Sequence, residues 1–188
     1  MVDLAPIGPE EAPDEDWEPT AAARLLLDSF DRIAASVEKV VEGLDVAQLA
    51  FRPKTEANSI AWLVWHLTRI QDDHLAGAFD HQQVWMADGW SERFQLPFHE
   101  EATGYGHRVE DVSAVRVEGS LLRDYHRAVH RRTQRDIKGL RDADLDRVVD
   151  ESWDPPVTMA VRLVSVVTDD LEHAGQAAYL RGLLPGGD

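Results

Sequence analysis

Four stretches of the chain repeat apolar side chains at the spacing of an amphipathic α-helix, about 3.6 residues per turn. The predicted helices span roughly 19–44, 58–78, 120–140 and 158–184. The clearest apolar stripe belongs to the first and consists of Leu26, Phe30, Ile33, Val37, Val40 and Leu44. Four helices of this length predict an all-α fold, a four-helix bundle.

The predicted helix ends carry suitable signals. Asn58 or Ser59 can cap the second helix and Thr158 the fourth, because their side-chain oxygens accept from free backbone N–H groups. The run Pro185-Gly186-Gly187 would end the last helix. Only residues 112–117 alternate as a short strand would.

The composition fits one globular domain and argues against several functions. We expect an acidic, proline-rich tail over 1–18 and a single bundle domain over 19–188. A net charge of −16 argues against nucleic acid as a partner. No apolar run approaches the roughly 18 residues of a membrane span. The N-terminus resembles neither a signal nor a transit peptide, so a cytoplasmic protein is expected.

The chain has no cysteine. Disulfides, thiolate metal ligands and a cysteine nucleophile are therefore all excluded. Any thiol chemistry must use a thiol that a substrate supplies.

A long insert separates the second and third predicted helices. Residues 79–119 show no sustained helical period, yet they contain Trp85, Trp90, Phe94, Phe98 and Tyr105. Such long connections in compact domains are often functional. The insert is either a hydrophobic connector on the side of the bundle or, as we favour, a crossover that also closes over one end.

Three ionisable residues interrupt helix faces that should turn inward. They are His66 on the second helix and Asp169 and His173, spaced i, i+4, on the fourth. A divalent cation would compensate the cost of burying these groups, and three protein ligands would leave positions for water or substrate. A hydrogen-bonded core histidine and a helix-stabilising Asp–His pair are the alternatives, and spacing alone does not decide between them.

Other histidines compete for the same role. His126 and His130 are also spaced i, i+4, but His130 is predicted to face solvent within a basic run. His74, His81 and His99 are expected on the surface or in loops.

Three further polar residues are candidates for catalysis. His107 follows the Gly104-Tyr-Gly loop, from which its side chain could reach the site. Asp73 and Arg162 lie on the inward faces of the second and fourth helices. They either line one end of a cavity, with a role toward substrate, or pair with each other as a structural ion pair.

Several stretches resemble DinB-like proteins. They are SIAWLVWHL at 59–67 with QDDH at 71–74, TGYGH at 103–107, and DDLEHAGQAAYLRG at 169–182. The resemblance covers roughly 20–184. This superfamily includes the metal-binding domain of mycothiol-dependent maleylpyruvate isomerase and bacterial thiol S-transferases. The resemblance implies a metal-binding four-helix bundle and a homodimer.

The resemblance also implies a ligand set. The metal, commonly zinc or nickel, would be held by a histidine of the second helix and an i, i+4 pair of the fourth, which fall on His66, Asp169 and His173. Asp169 departs from the His or Glu of relatives, and Asp170 is the weaker alternative. The chain ends at Asp188 without the additional domain of the isomerase, so maleylpyruvate isomerisation is not expected.

Three functions are compatible with these features. The first is a metal-dependent S-transferase that joins a small-molecule thiol to a small electrophile. Mycothiol is the favoured thiol, because the excess of Arg over Lys indicates a GC-rich genome and GC-rich bacteria of the actinobacterial type use mycothiol. The second is a metal-dependent hydrolase with Asp73 or His107 as general base. The third is a non-enzymatic bundle that binds a metal or ligand.

Overall fold

The computed structural model describes residues 18–184, so most of the expected tail over 1–18 and the Pro185-Gly186-Gly187 stop lie outside the described residues. In chain order the elements are α1 (Ala21–Val41), α2 (Val46–Leu49), α3 (Ile60–Phe79), α4 (Val84–Ala87), α5 (Trp90–Phe94), α6 (Val109–Ala114), α7 (Gly119–Lys138), a 3-10 turn (Asp142–Asp144), β1 (Val148–Asp150), β2 (Val157–Thr158) and α8 (Met159–Gly182). The long helices α1, α3, α7 and α8 form the predicted bundle.

The helix starts follow the predicted capping chemistry. The Ser59 hydroxyl accepts from the Trp62 N–H at 3.2 Å, and the Thr158 hydroxyl accepts from the Val161 N–H at 3.4 Å. Helix α1 ends earlier than expected, at Val41, because Gly43 takes a positive φ of 71° and turns the chain away.

The bundle core comes from the apolar stripes of the four long helices. Phe30, Ile33, Val37 and Val40 of the predicted α1 stripe are buried. Full burial of one such side chain contributes about 1.5–3 kcal/mol of transfer free energy. Helix α1 packs on α7 and α8, and α3 packs on the same two helices from the other side.

Helices α3 and α8 run antiparallel and form the most extensive contact of the bundle. The rings of His66 and His173 lie 4.9 Å apart. Two turns further along α3, Asp73 interacts electrostatically with Arg162, which lies near the start of α8. Early residues of α3 therefore lie beside late residues of α8, and late residues of α3 lie beside early residues of α8.

The insert between α3 and α7 packs on the bundle through aromatic side chains and three short helices. Trp85, Trp90 and Phe94 are buried around Tyr125 of α7, with ring centroids 5.1–5.7 Å from it. This explains why sequence periodicity fails here, since no insert helix exceeds six residues.

Strand structure occurs at a different place from the weak sequence candidate. Residues 112–114 belong to α6, and no strand is assigned between 112 and 117. Instead β1 and β2 pair antiparallel, with Val148 opposite Thr158. Strands of three and two residues are too short to give an alternating pattern.

A buried polar network ties the insert to α3. The Asp72 carboxylate accepts from the Val84 and Trp85 N–H groups at 2.8 and 2.7 Å and from the Tyr125 hydroxyl at 2.9 Å. Arg69 lies 3.7 Å from Asp72. Burial raises the pKa of Asp72 despite these hydrogen bonds. The start of α4 is thus held by a side chain of the bundle.

A second set of contacts from Arg69 holds the other end of the insert. Its Nε donates to the Ala102 carbonyl at 3.1 Å and its Nη1 to Gln83 Oε1 at 2.8 Å.

Within residues 18–184, no helix is both long and apolar enough to cross a membrane.

Candidate metal site

His66, Asp169 and His173 meet between α3 and α8. Each offers a ligand atom, and these atoms lie within 4.8 Å of one another. His66 is buried, and the other two are partly buried. Over residues 18–184, this is the one group of three acidic or histidine side chains close enough to share an ion. Antiparallel packing of the two helices creates this cluster.

The orientation of His66 is set by the insert. Its Nδ1 lies 2.6 Å from the Thr103 carbonyl oxygen, which only accepts, so Nδ1 carries the proton and Nε2 keeps its lone pair. The Trp62 indole stacks on the same ring at 4.6 Å. Burial lowers the pKa of His66, which favours the neutral form that a metal requires.

Gly104 allows the insert to approach His66 this closely. Its φ is +101°, and a Cβ at this position would lie 2.6 Å from His66 Nδ1 and 3.1 Å from Cζ3 of Trp65. Only glycine fits both the backbone conformation and the space.

Asp169 and His173 contribute polar atoms that lack partners. His173 Nε2 lies 3.6 Å from Asp169 Oδ1, too far for a hydrogen bond. Asp169 Oδ2 and His173 Nδ1 are buried and have no hydrogen-bond partner. Buried polar atoms without partners are rare in folded proteins, and a cation would compensate them. Two imidazoles and one carboxylate are a donor set that suits zinc, so the residues present fit a divalent cation.

Asp170, the alternative to Asp169, lies outside this cluster. Its side chain is fully buried and both carboxylate oxygens lack partners. Burial, and secondly the neighbouring Asp169, raise the pKa of Asp170 well above its usual range. Both effects favour the protonated, neutral form of Asp170.

The insert also brings His107 beside the site. The Trp62 Nε1–H donates to His107 Nδ1 at 3.2 Å, and the same indole stacks on His66. His107 packs against Trp65 and Phe98, with ring centroids 5.6 and 4.5 Å away. One indole thus separates His107 from the candidate ligand His66.

Asp73 and Arg162 line a separate cavity of about 500 Å³, also bounded by Gln83 and Asp150. Arg162 donates to Asp150 at 2.6 Å, and Asp73 accepts from Gln83 at 2.7 Å. The hydrogen bond with His74 lowers the pKa of Asp73. The structure thus brings Asp73 and Arg162 to one cavity, two helical turns from the His66 cluster.

The remaining histidines form pairs rather than three-residue clusters. His126 is buried and its pKa is lowered by burial to about 3. His130 lies 3.0 Å from Asp31 of α1 instead of facing solvent. His81, in the loop after α3, binds Asp136 of α7 at 3.0 Å.

Sequence reasoning missed the backbone contribution to the site. The Thr103 carbonyl orients His66 across 37 positions of the chain, and Arg69 holds the adjacent Ala102 carbonyl. Trp62 is a buried core residue that also contacts His66 and His107. The available signal was the TGYGH motif, whose first glycine is the one that a close approach requires.

Comparison with known proteins identifies the family and the fold of the chain. The family model described as mycothiol-S-transferase matches residues 25–186. A crystal structure described as a conserved protein from Enterococcus faecalis has a TM-score of 0.82 and 32% sequence identity, and the alignment covers 89% of this chain and 99% of that chain. No curated protein gave a significant match.

Proposed function

Because the chain belongs to the mycothiol S-transferase family, a DinB-like family, we propose that it is a metal-dependent S-transferase that joins a mycothiol-type thiol to small electrophiles. The observation that carries this proposal is the cluster of His66, Asp169 and His173, with ligand atoms within 4.8 Å of one another. The absence of cysteine agrees with it, since the reacting thiol then comes from a substrate.

We assign these three residues as ligands of a zinc or nickel ion. When bound, such an ion lowers the pKa of a coordinated thiol from about 8.5 and holds it as thiolate. Two neutral imidazoles and one carboxylate leave a divalent cation with one uncompensated positive charge. A bound thiolate would neutralise that charge.

The surrounding residues prepare the ligands. The Thr103 carbonyl keeps the His66 proton on Nδ1 and its lone pair on Nε2. The Trp62 indole covers one face of the His66 ring and presents its edge to His173, 6.3 Å away. These contacts fix ring orientations before a substrate arrives, which reduces the cost of assembling the site.

We further propose that this cytoplasmic enzyme acts as a homodimer. The support is an exposed apolar side of α8, which includes Val161, Val164, Leu171 and Tyr179. Light scattering should give twice the chain mass. A Val164→Lys variant should shift the protein toward monomer, and a monomeric wild type at micromolar concentration would refute this part.

Metal analysis tests the site directly. Plasma mass spectrometry should find about one equivalent of zinc or nickel in the wild type and almost none in His173→Ala. His99→Ala is the matched control, because the His99 side chain is 75% exposed and lies away from the cluster. Equal metal content in all three proteins would refute the assignment.

Thiol dependence tests the reaction. The metal-loaded wild type should consume mycothiol and a benzylic electrophile in equal amounts, and turnover should stop without thiol. Turnover of an ester or amide without thiol would instead identify a hydrolase. Full metal occupancy without either reaction would favour a binding protein.

A further inference from the structure

Arg69 and His66 lie one turn apart on α3, and they donate hydrogen bonds to consecutive carbonyls of the insert. Arg69 Nε donates to the Ala102 carbonyl at 3.1 Å, and His66 Nδ1 donates to the Thr103 carbonyl at 2.6 Å. Residues three positions apart on a helix are neighbours on its surface. The same turn of α3 therefore supplies a candidate metal ligand and a donor to the peptide just before the one that orients this ligand.

The Arg69 guanidinium is itself held by contacts on several sides. Its side chain is fully buried, with Nη1 3.7 Å from the Asp72 carboxylate and 2.8 Å from Gln83 Oε1. The centroid of the Trp85 ring lies 4.9 Å from Cζ of Arg69. A charged donor also makes hydrogen bonds about twice as strong as those of a neutral one. Arg69 thus offers the Ala102 carbonyl a strong donor in a fixed place.

The other restraints on this part of the insert lie further from Thr103 or are weaker. The Trp85 indole N–H donates to the Glu100 carbonyl at 2.9 Å, three residues before Thr103. Gly104, directly after Thr103, has no side chain with which to restrain the backbone. Among the side-chain hydrogen bonds of residues 18–184, the bond from Arg69 is the closest along the chain to the Thr103 carbonyl, apart from that of His66.

We propose that Arg69 is a positioning residue for the metal site. By holding the Ala102 carbonyl, it aims the Thr103 carbonyl at His66 Nδ1 and so keeps the His66 lone pair on Nε2 for the metal. This inference rests on the proposed metal ligands. A carbonyl that accepts from a ligand histidine fixes its tautomer and ring orientation, and such contacts contribute to metal affinity. Loss of the Arg69 donor should therefore weaken zinc binding, although Arg69 acts only through the backbone.

Two variants of similar length separate this role from the stability of the buried network. In Arg69→Gln the amide nitrogen takes the place of Nε and can donate to the Ala102 carbonyl. In Arg69→Met a methyl group takes that place and cannot donate. Both variants remove the guanidinium and its contact with Asp72, so the lost charge is common to them. Urea unfolding establishes that both are folded, and a difference at His66 then reports on the donor at the Nε position.

Zinc affinity, measured by competition with a chromophoric chelator, is the first measurement. It should fall about 10-fold in Arg69→Met and stay within about threefold of wild type in Arg69→Gln. Asp72→Asn is the control for stability, because it removes the counter-ion of Arg69 but leaves the bond to the Ala102 carbonyl, so its zinc affinity should hold. Equal affinities in Arg69→Met and Arg69→Gln would overturn the inference. So would a loss in Asp72→Asn as large as that in Arg69→Met.

Nitrogen-15 NMR of histidine-labelled, metal-free protein gives a second readout that needs neither zinc nor turnover. The His66 signals are assigned by their loss in His66→Gln. The Nδ1–H tautomer of His66 should dominate at pH 7 in the wild type and in Arg69→Gln. In Arg69→Met the Nε2–H tautomer should gain population, because the Thr103 carbonyl is no longer aimed at Nδ1. An unchanged tautomer in Arg69→Met would overturn the inference.

The two measurements also distinguish failure of this inference from failure of the proposed function. A wild type that binds no zinc would remove the proposed metal site, and with it the positioning role, even if the His66 tautomer follows Arg69 as expected. A wild type that binds zinc, beside an Arg69→Met variant with unchanged affinity and tautomer, would overturn only the role of Arg69.

Discussion

Replacing Gly104 by alanine should weaken metal binding as well as the fold, and a matched glycine variant can separate the two effects. The new Cβ would lie 2.6 Å from His66 Nδ1, closer than real Cβ contacts allow, and 3.2 Å from His66 Cγ, which is also a tight contact. Either the 103–104 segment or the His66 ring must move. Both movements break the 2.6 Å hydrogen bond between His66 and the Thr103 carbonyl.

The expected magnitude follows from that lost bond. Removing a hydrogen-bond partner that orients a metal ligand typically lowers metal affinity about 10- to 100-fold. This corresponds to about 1.4–2.8 kcal/mol of binding free energy. Backbone strain at φ +101° should separately reduce the free energy of unfolding by about 1–3 kcal/mol.

Gly106→Ala is the matched control. Gly106 also has a positive φ, +74°, but no heavy atom lies within 4 Å of the position that its Cβ would occupy. Both variants thus carry backbone strain, and only Gly104→Ala carries the clash. Zinc affinity, measured by competition with a chromophoric chelator, should fall in Gly104→Ala and hold in Gly106→Ala. Equal affinities in the two variants would refute the reasoning.

Two stability measurements test the rest of the interior. The pKa of His126 is about 3 in the folded protein and 6.5 when the side chain is exposed. Between these two pH values the unfolded chain binds a proton at His126 and the folded chain does not. The neutral His126 therefore contributes fully to the free energy of unfolding above pH 6.5, and this contribution is lost as the pH falls toward 3. About 2 kcal/mol of it is lost by pH 5. Urea unfolding at pH 7 and 5 should show this extra loss in the wild type but not in His126→Gln; equal losses would contradict it. Asp72→Asn should cost about 3–5 kcal/mol, because buried Arg69 loses its counter-ion, whereas Asp28→Asn on the surface should have almost no effect. A loss in Asp72→Asn as small as that in Asp28→Asn would show that the Arg69 charge is satisfied without its carboxylate.

The sequence was sufficient for the bundle because each long helix carries its own local evidence. The apolar stripe of α1 and the caps at Ser59 and Thr158 depend only on neighbours within a few residues. The end of α1 at Val41 was harder to predict, since a single glycine at 43 outweighed an apolar pattern that continued to Leu44.

The candidate site was only half accessible from sequence. The spacing of Asp169 and His173 and the inward phase of His66 are helical properties, so they could be read locally. The Thr103 carbonyl, the indole of Trp62 and the lone pair of His107 come together only in three dimensions. Any residue can supply a backbone carbonyl, so the residue type at 103 does not predict the hydrogen bond to His66. The adjacent Gly104 was the one indirect indication that the chain approaches His66 closely here.

The hydrogen bonds from Val84 and Trp85 to Asp72 have a consequence for how the molecule opens. A helix of four residues, such as α4, would normally fray, and its amide protons would exchange with solvent almost freely. Here two of those amides end on a carboxylate in the middle of α3. Their exchange should require the same opening event that exposes α3, with closely similar protection factors. The insert and the bundle would then unfold together as one cooperative unit. The insert segment that contacts His66 would open to solvent only as often as the bundle core does.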